Sequence, residues 1–148
     1  METLIAIDPG QGGGIAWRDQ EGHVHAENMP GTFPEIADRL RELRVGLGSP
    51  VCLIEKTGGY MPGNAGPASV KFGRHNGHLE MALYCMSIPT TQISPQKWMK
   101  RLGTMPKDKT ARKNKIKTDM ACLYPALKVT LKTADALAIL TVAIMDEK

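Results

Sequence analysis

The stretch Leu4-Ile5-Ala6-Ile7-Asp8-Pro9-Gly10 decides the fold, because an unbroken apolar run ends at a carboxylate and continues into a glycine-rich turn. A short run of this kind is typical of a strand that is covered on both faces. A second run, Val51 to Ile54, also ends at an acid, Glu55. Acids at the ends of buried strands can converge at one edge of a sheet. The two runs therefore predict a sheet with Asp8 and Glu55 at a common edge.

A third acid, Asp135, opens the apolar segment Asp135 to Leu140, which predicts a helix beginning at that residue. Each acid has an ordinary alternative role. Asp8 could initiate a turn, and Asp135 could favour a helix start through capping and the macrodipole. Glu55 needs a partner or a metal, since a buried carboxylate without one is costly. Together the three carboxylates suit Mg²⁺ or Mn²⁺, which complete their shells with water and substrate phosphates. Phosphodiester chemistry is the hypothesis that follows.

The rest of the chain predicts strands and helices in alternation. Alternating patterns and turn residues indicate three short strands over residues 3–8, 13–18 and 23–28, followed by later strands over residues 51–55 and 90–93. Strands first and then helices between strands predict an α/β domain, a mixed sheet with helices on both faces. No internal repeat or low-complexity tract interrupts the pattern.

Helix signals separate these strands. Thr32 and Glu35 form a capping-box pattern, and Gly46 and Gly48 are expected to end that helix. Its predicted core face consists of Phe33, Ile36, Ala37, Leu40 and Leu43. Ser94 followed by Pro95 predicts the start of a short helix that carries Trp98. The last two helices are expected from residue 110 to about Tyr124, with Ile116, Met120 and Leu123 inside, and from Asp135 onward.

Residues 56–67 contain four glycines and two prolines, which predicts a loop directly after Glu55. Tyr60 and Met61 in this loop could stack on or wedge beside unstacked bases, and the alternative is a loop with incidental residues. A helix is expected over residues 68–86, with an inner face of Phe72, Asn76, Leu79, Leu83 and Met86. Gly73 and Gly77 lie one turn apart on it. We expect them to serve close packing on the sheet, with contact to a second subunit as the alternative.

Size and composition limit the class of protein. The chain has 148 residues, 42% of them hydrophobic, which is enough for one domain with a core and too few for two ordinary ones. Its longest apolar stretch is shorter than the roughly 20 residues that a membrane span needs, and no secretory leader is recognisable. Three scattered cysteines favour reduced thiols in the cytoplasm. His75 and His78 lack a matching pair of ligands, so a zinc site is not expected.

The net charge of +4 hides a marked asymmetry. Residues 97–117 contain nine basic residues and a single acid, Asp108, so this segment carries +8 and the remainder −4. Such a patch is what binding to a nucleic-acid backbone requires, because affinity arises largely from phosphate neutralisation. The alternative is an ordinary solvated helix face.

Five landmarks occur in an order and spacing that resemble those of RuvC-type Holliday junction resolvases, most similar to phage-encoded members. They cover most of the chain, from Leu4 to Leu140. The landmarks are Ile5-Ala6-Ile7-Asp8-Pro9-Gly10, Leu53-Ile54-Glu55-Lys56 with its loop, Gly73-Arg74-His75-Asn76-Gly77, Ser94-Pro95-Gln96-Lys97-Trp98 and Ala134-Asp135-Ala136-Leu137-Ala138.

The resemblance implies that residues 1–148 form a single nuclease domain with a ribonuclease H-like fold. It further implies a homodimer that binds a four-way DNA junction and makes paired nicks in recombination and repair, in a bacterial or phage-infected cell. Asp8, Glu55 and Asp135 would hold two Mg²⁺ ions about 4 Å apart, with Mn²⁺ able to substitute. In-line attack by water would leave a 5′ phosphate.

Basic and loop residues complete the expected site. Residues expected to contact DNA are Lys56, Tyr60, Met61, Lys71, Arg74, Lys107, Lys109, Arg112 and Lys113. This chain departs from the family pattern at the fourth ligand, usually an acid or histidine three or four residues before the last aspartate. Lys132 occupies one of these positions and Leu131 the other. A lysine there would repel a metal, replace part of its charge or hold the scissile phosphate.

Two other functions fit the same residues. One is a related metal-dependent nuclease that acts on forks, flaps or RNA/DNA hybrids. The other is a junction-binding protein whose catalysis is impaired by Lys132. An actin-like ATPase also has an Asp-x-Gly start, but 148 residues are too few for its two lobes.

Overall fold

A computed structural model describes residues 1–58 and 66–147 of the chain. Its sheet has five strands in the order β3-β2-β1-β4-β5. The strands are β1 (Leu4–Asp8), β2 (Gly14–Arg18), β3 (Val24–Asn28), β4 (Val51–Glu55) and β5 (Thr90–Ile93). All five agree with the predicted strands to within one residue at each end.

The sheet is mixed, as predicted. Strand β1 pairs antiparallel with β2 and parallel with β4, while β2–β3 is antiparallel and β4–β5 is parallel. The parallel register sets Ile7 beside Ile54, so the next residues of the two strands, Asp8 and Glu55, are neighbours at the end of the sheet. We call this end the acid edge.

Five helices flank the sheet. They are α1 (Phe33–Leu47), α2 (Gly66–Cys85), α3 (Pro95–Leu102), α4 (Lys109–Leu123) and α5 (Leu131–Met145). Apolar residues of α1 and α2 cluster with one face of the sheet, and those of α3, α4 and α5 cluster with the other. The predicted α/β architecture with helices on both faces is confirmed. Among the described residues, no helix has both the length and the hydropathy that crossing a bilayer requires.

Strand β1 belongs to both cores because its successive side chains point to opposite faces. Ile5 and Ile7 pack in the cluster with α1 and α2, whereas Leu4 and Ala6 pack in the cluster with α5. All four are at most 5% exposed. The uninterrupted apolar run thus has a direct structural cause, and the strand fixes the position of Asp8 rigidly.

Two expectations for α1 were wrong. Phe33 is 63% exposed, since the buried residues of this helix are Ile36, Leu40, Leu43 and Leu47. Gly46 lies inside the helix, whose last residue is Leu47 and whose C-cap is Gly48, where φ is +79°. Glycine adopts this left-handed conformation without a Cβ clash, so Gly48 terminates the helix and Gly46 does not. The predicted N-cap is confirmed, because the Thr32 side chain accepts a hydrogen bond from the Glu35 N–H.

Helix α2 differs from the prediction in its start and its orientation. It begins at Gly66, two residues earlier than expected, and its buried residues are His75, Leu79 and Leu83. Gly73 and Gly77 are exposed, and within the described part of the chain a Cβ added at either would meet nothing within 4 Å. The expectation that they allow close packing on the sheet was therefore wrong. The i, i+4 row through His75 faces the core instead.

Helix α5 begins at Leu131, one turn before the predicted start at Asp135. Thr130 and Thr133 form a reciprocal capping box, in which each side chain accepts a hydrogen bond from the other residue's N–H. This cap satisfies the first turn, so Asp135 lies in the second turn and has no capping role. In α4, Ile116 and Met120 are buried as predicted, but Leu123 is 57% exposed.

Candidate metal centre

Asp8 and Glu55 are placed by the two central parallel strands. Each ends its strand, and each side chain is half-buried. Neither position depends on a flexible connection, because the residues before them are paired in the sheet and buried in the cores. The prediction that these two carboxylates share one sheet edge is supported by the strand register.

Asp135 reaches the same edge because the start of α5 lies directly against β2. At Gly14, a Cβ would be only 2.7 Å from the Lys132 carbonyl oxygen and 2.9 Å from the Glu27 carbonyl oxygen. Any larger residue at Gly14 would have to push the helix away from the sheet. Gly14, the first residue of β2, therefore lets α5 approach closely enough for Asp135 to act on the other acids.

The three acids are electrostatically coupled. The pKa of Asp8 is raised to about 8, chiefly by burial and also by the negative charges of Asp135 and Glu55. Burial also raises the pKa of Glu55 and of Asp135. A carboxylate favours its neutral form when it is desolvated or placed near like charges. A bound cation would therefore stabilise the negatively charged forms of these three carboxylates.

Trp98 holds the Glu55 carboxylate. The indole Nε1–H donates a 2.8 Å hydrogen bond to Glu55 Oε2, and this bond opposes the rise in the Glu55 pKa. The Trp98 side chain is fully buried in the α5-side core, and α3 is fixed by its Ser94 N-cap. The sequence placed Trp98 on a short helix but gave no signal for this contact, because indole and carboxylate are 43 residues apart.

Two basic residues of α4 lie close enough to the acids to lower their pKa values. Lys113 lowers the pKa of both Asp8 and Asp135 relative to the effect of burial, and Arg112 does the same for Asp135. Both residues were predicted from the sequence to contact DNA phosphates. Their proximity to the carboxylates means that the basic segment reaches the acid edge itself.

The acids are nevertheless not a closely packed ligand set. Among the described residues, the three His, Cys, Asp or Glu side chains whose ligand atoms all lie within 4.8 Å of one another are Asp19, Glu21 and His23. These three lie in the turn between β2 and β3, at the opposite end of the sheet. We call this group the far turn. It was not predicted from the sequence as a metal site.

The predicted DNA contacts lie on two sides of the acid edge. Lys56 is exposed immediately after Glu55, while Lys71 and Arg74 are exposed on the first half of α2. Lys107, Lys109 and Lys113 are exposed around the start of α4, and Arg112 is half-buried there. Tyr60 and Met61 lie outside the described residues.

The Lys132 side chain is exposed, and Leu131 is 52% exposed. Their helix begins before Asp135, so both precede it by about one turn on α5. The role of Lys132 at the fourth-ligand position remains a prediction.

Comparison with known proteins establishes the fold. No protein-family model and no curated protein matches this chain. RuvC of Thermus thermophilus in complex with a Holliday junction substrate superimposes with a TM-score of 0.63 at 16% identity, covering 99% of this chain and 97% of that one. A second Thermus thermophilus RuvC structure gives 0.57 at 17% identity, covering 97% and 96%.

The yeast mitochondrial Holliday junction resolvase Ydc2 is also similar, with a TM-score of 0.50 at 16% identity, covering 95% of this chain and 75% of that one. These likenesses extend over nearly the whole chain. They show that the chain has the fold of these RuvC-type proteins, as predicted.

Proposed function

We propose that this chain is a divalent-metal-dependent endonuclease that resolves four-way DNA junctions by paired nicking. The observation that carries the proposal is the arrangement of Asp8, Glu55 and Asp135 around one sheet edge, in a fold shared with RuvC. Fold alone does not imply function, so the proposal depends on the chemistry of these residues.

The donor set fits a hard divalent cation. Three carboxylates supply oxygen ligands. Burial raises the pKa of all three, and neighbouring acids raise the pKa of Asp8 and Glu55 further, so a cation would relieve an existing electrostatic penalty. Asp8, Glu55 and Asp135 would hold Mg²⁺, with Mn²⁺ as a substitute. When bound, such ions supply Lewis-acid charge at a phosphoryl oxygen.

The chain's own residues orient this chemistry. Trp98 fixes one oxygen of Glu55 through its 2.8 Å hydrogen bond and leaves the other free to coordinate. Lys113 and Arg112 place positive charge beside Asp8 and Asp135, where a scissile phosphate would add negative charge. Hydrolysis at this site would leave a 5′ phosphate.

Basic residues on both sides of the acid edge would hold the DNA arms. Lys71 and Arg74 lie on α2, and Lys107 and Lys109 precede or begin α4. Contacts of this kind neutralise phosphates and position the duplex without reading sequence. Lys56, Tyr60 and Met61, which follow Glu55, would meet the branch point.

Paired nicking requires two active sites, and α2 offers a surface for a homodimer of this single-domain chain. Met81 and Tyr84 are 61% and 81% exposed, and Gly73 and Gly77 precede them at helical spacing. Small residues flanked by exposed apolar ones allow two helices to approach closely. The exposed orientation of these glycines supports the second-subunit alternative.

The decisive experiment is nicking of a labelled four-way junction in Mg²⁺ by the unmodified chain and by Asp8→Asn. We expect symmetrical cuts in opposing strands, bearing 5′ phosphates, that are lost in the variant and without metal. Asp38→Asn is the matched control, because Asp38 is an exposed acid on α1 in an ion pair with Arg41.

The same assay includes a flap, a replication fork and an RNA/DNA hybrid of matched sequence. Preference for one of these would assign a different substrate to the same site. Tight junction binding without cleavage in Mg²⁺ or Mn²⁺ would instead indicate a binding protein and contradict the nuclease proposal.

A further inference from the structure

A cleft of about 720 Å³ opens between the N-terminus of α1 and the first half of α2. Thr32 and Phe33 line one wall, and Lys71, Arg74 and His78 line the other. Its volume lies within the range of small-molecule sites, roughly 300–1,000 Å³. The cleft is large enough for one nucleotide.

The cleft is positively charged. The charge comes from Lys71 and Arg74, and the lining contains no aspartate or glutamate among the described residues. The side chains of His75 and His78 complete this wall. This contrasts with a neighbouring surface groove around Glu27, Glu35, Asp38 and Glu42. An occupant with negative charge is favoured in the first and disfavoured in the second.

An aromatic platform forms part of the wall. Phe33 and His78 have ring centroids 5.1 Å apart at an interplanar angle of 44°, and Phe33 is 63% exposed. Packing of the protein core does not explain why an exposed phenylalanine lies beside two cationic side chains. It is the combination by which proteins bind unstacked bases, because every base offers a π face to the ring.

His75 supplies a buried polar group with no partner in the described structure. Its side chain lies at the wall of the cleft, the residue is 7% exposed, and Nε2 has no hydrogen-bond partner among the described residues. Nδ1 lies 3.5 Å from Gln11 Nε2. If Gln11 donates to Nδ1, the imidazole carries its proton on Nε2, which is then a donor that lacks an acceptor.

The cleft adjoins the acid edge. Gln11, Lys71 and His75 also line a smaller cavity of about 220 Å³, whose wall includes Gly10. Gly10 is two residues beyond Asp8, in the turn that leaves β1. The shared lining residues connect the cleft with the turn that follows Asp8.

We propose that this cleft binds one unstacked nucleotide of a DNA strand beside the cleaved phosphate, with the base against Phe33 and His78 and its phosphate on Lys71 and Arg74. This inference deepens the proposed function and rests on it for the source of the nucleotide. It assigns Phe33, an apparent core residue by sequence spacing, to substrate binding.

The test measures dissociation constants by fluorescence anisotropy in Ca²⁺ for three labelled probes: a five-residue thymidine oligonucleotide, a four-way junction and a linear duplex. Phe33→Ala should weaken binding of the oligonucleotide and of the junction by roughly ten- to a hundredfold, and leave the duplex unchanged. Phe33→Trp should preserve binding. Val45→Ala is the control, since Val45 is 78% exposed at the other end of α1.

Equal losses for all three probes, or none, would overturn the cleft proposal. A change in sedimentation coefficient for Phe33→Ala, with unchanged oligonucleotide binding, would assign the cleft to a second copy of the chain and likewise overturn it. The two proposals fail separately. If Phe33→Ala loses oligonucleotide binding but the unmodified chain never nicks junctions, the cleft proposal is retained and the nuclease proposal is rejected.

Discussion

The two ends of the sheet each gather acidic side chains, but in opposite chemical settings. At the far turn, Asp19 Oδ1 accepts hydrogen bonds from the Glu21 and His23 N–H groups, and Oδ2 lies 2.8 Å from His25 Nε2. The hydrogen bond to His25 is the main cause that lowers the pKa of Asp19 to about 2. At the acid edge, burial raises the pKa of Asp8 to about 8.

This difference shows that closeness of ligand atoms is a poor guide to a cation site here. The far turn has the tighter spacing, yet its central carboxylate is already satisfied by the protein. The acid edge has looser spacing and carboxylates whose negative charge is opposed by burial. A cation stabilises the second arrangement far more than the first.

Asp135→Asn tests the comparison with the largest expected effect. We expect junction nicking to fall by roughly 10³-fold, equivalent to about 4 kcal/mol of lost transition-state stabilisation. Asp19→Asn should leave the nicking rate unchanged, since the far turn is distant from the acid edge. Rates are measured under single-turnover conditions at saturating Mg²⁺. A large loss in Asp19→Asn would reverse the assignment of the two ends.

Trp98→Phe sharpens the role of positioning at the acid edge. The change keeps most of the buried volume but removes the N–H that holds Glu55. We expect roughly a 10- to 100-fold loss in metal affinity or activity, as for other groups that orient ligands. The apparent dissociation constant for Mg²⁺ is obtained from the dependence of the nicking rate on Mg²⁺ concentration. Circular dichroism checks that the variant is folded.

The matched control is Trp17→Phe, because Trp17 stacks on His25 near the far turn, with ring centroids 5.2 Å apart. Equal Mg²⁺ dependence in both variants would show that the indole hydrogen bond has only a structural role.

The pH dependence of stability should have opposite signs at the two ends. Between pH 4 and 8, native Asp8 keeps a proton that the unfolded chain releases, so the metal-free protein should lose stability as the pH rises through this range. Asp8→Asn should reduce this decline and stabilise the chain at pH 8 by roughly 0.5–2 kcal/mol, and the remaining decline should come from Glu55 and Asp135, whose pKa values are also raised by burial. Ionised Asp19 stabilises the folded chain above about pH 4, and this stabilisation is lost as the pH falls toward 2.

Urea unfolding from pH 2 to 9, with and without Mg²⁺, measures both effects. Added Mg²⁺ should reverse the loss near pH 8 in the unmodified chain and have no such effect in Asp8→Asn. A flat profile between pH 4 and 8 without metal would contradict the coupling of the three acids.

Lys132→Asp carries the smallest expected effect, since the side chain is exposed. It should tighten Mg²⁺ binding several-fold by replacing a repulsive charge with an attractive one at the fourth-ligand position. Lys128→Asp is the control, because Lys128 is an equally exposed lysine before α5. Calorimetric titration measures both variants. Identical affinities for the two would remove Lys132 from the site.

Strands were the most predictable part of this molecule. Residues 51–55 and 90–93 match β4 and β5, and the other three strands differ by a single residue at the start. The apolar runs of β1 and β4 end at acids and leave little freedom in assignment, whereas β3 (VHAEN) and β5 (TTQI) are short polar strands between turn signals. The basic segment was equally visible, because charge is a property of composition.

Helix faces were less predictable. Phe33 fits the apolar spacing of α1 but is the first residue of the helix and is exposed, while the buried residues begin at Ile36. Thr130 and Thr133 gave a usable capping signal that the apolar segment after Asp135 obscured. The Trp98–Glu55 hydrogen bond had no sequence signal.

The sequence by itself determined the five strands, the basic segment and the three acids that end or adjoin apolar runs. Hydrophobic pattern and charge are local properties of the sequence, so they can be recognised without knowledge of the fold. Tertiary structure alone decided that α5 approaches β2 at Gly14, that Trp98 holds Glu55, and that Phe33 faces a basic cleft. Those contacts join residues far apart in the chain, and only the packing of helices on the sheet sets the distances between them.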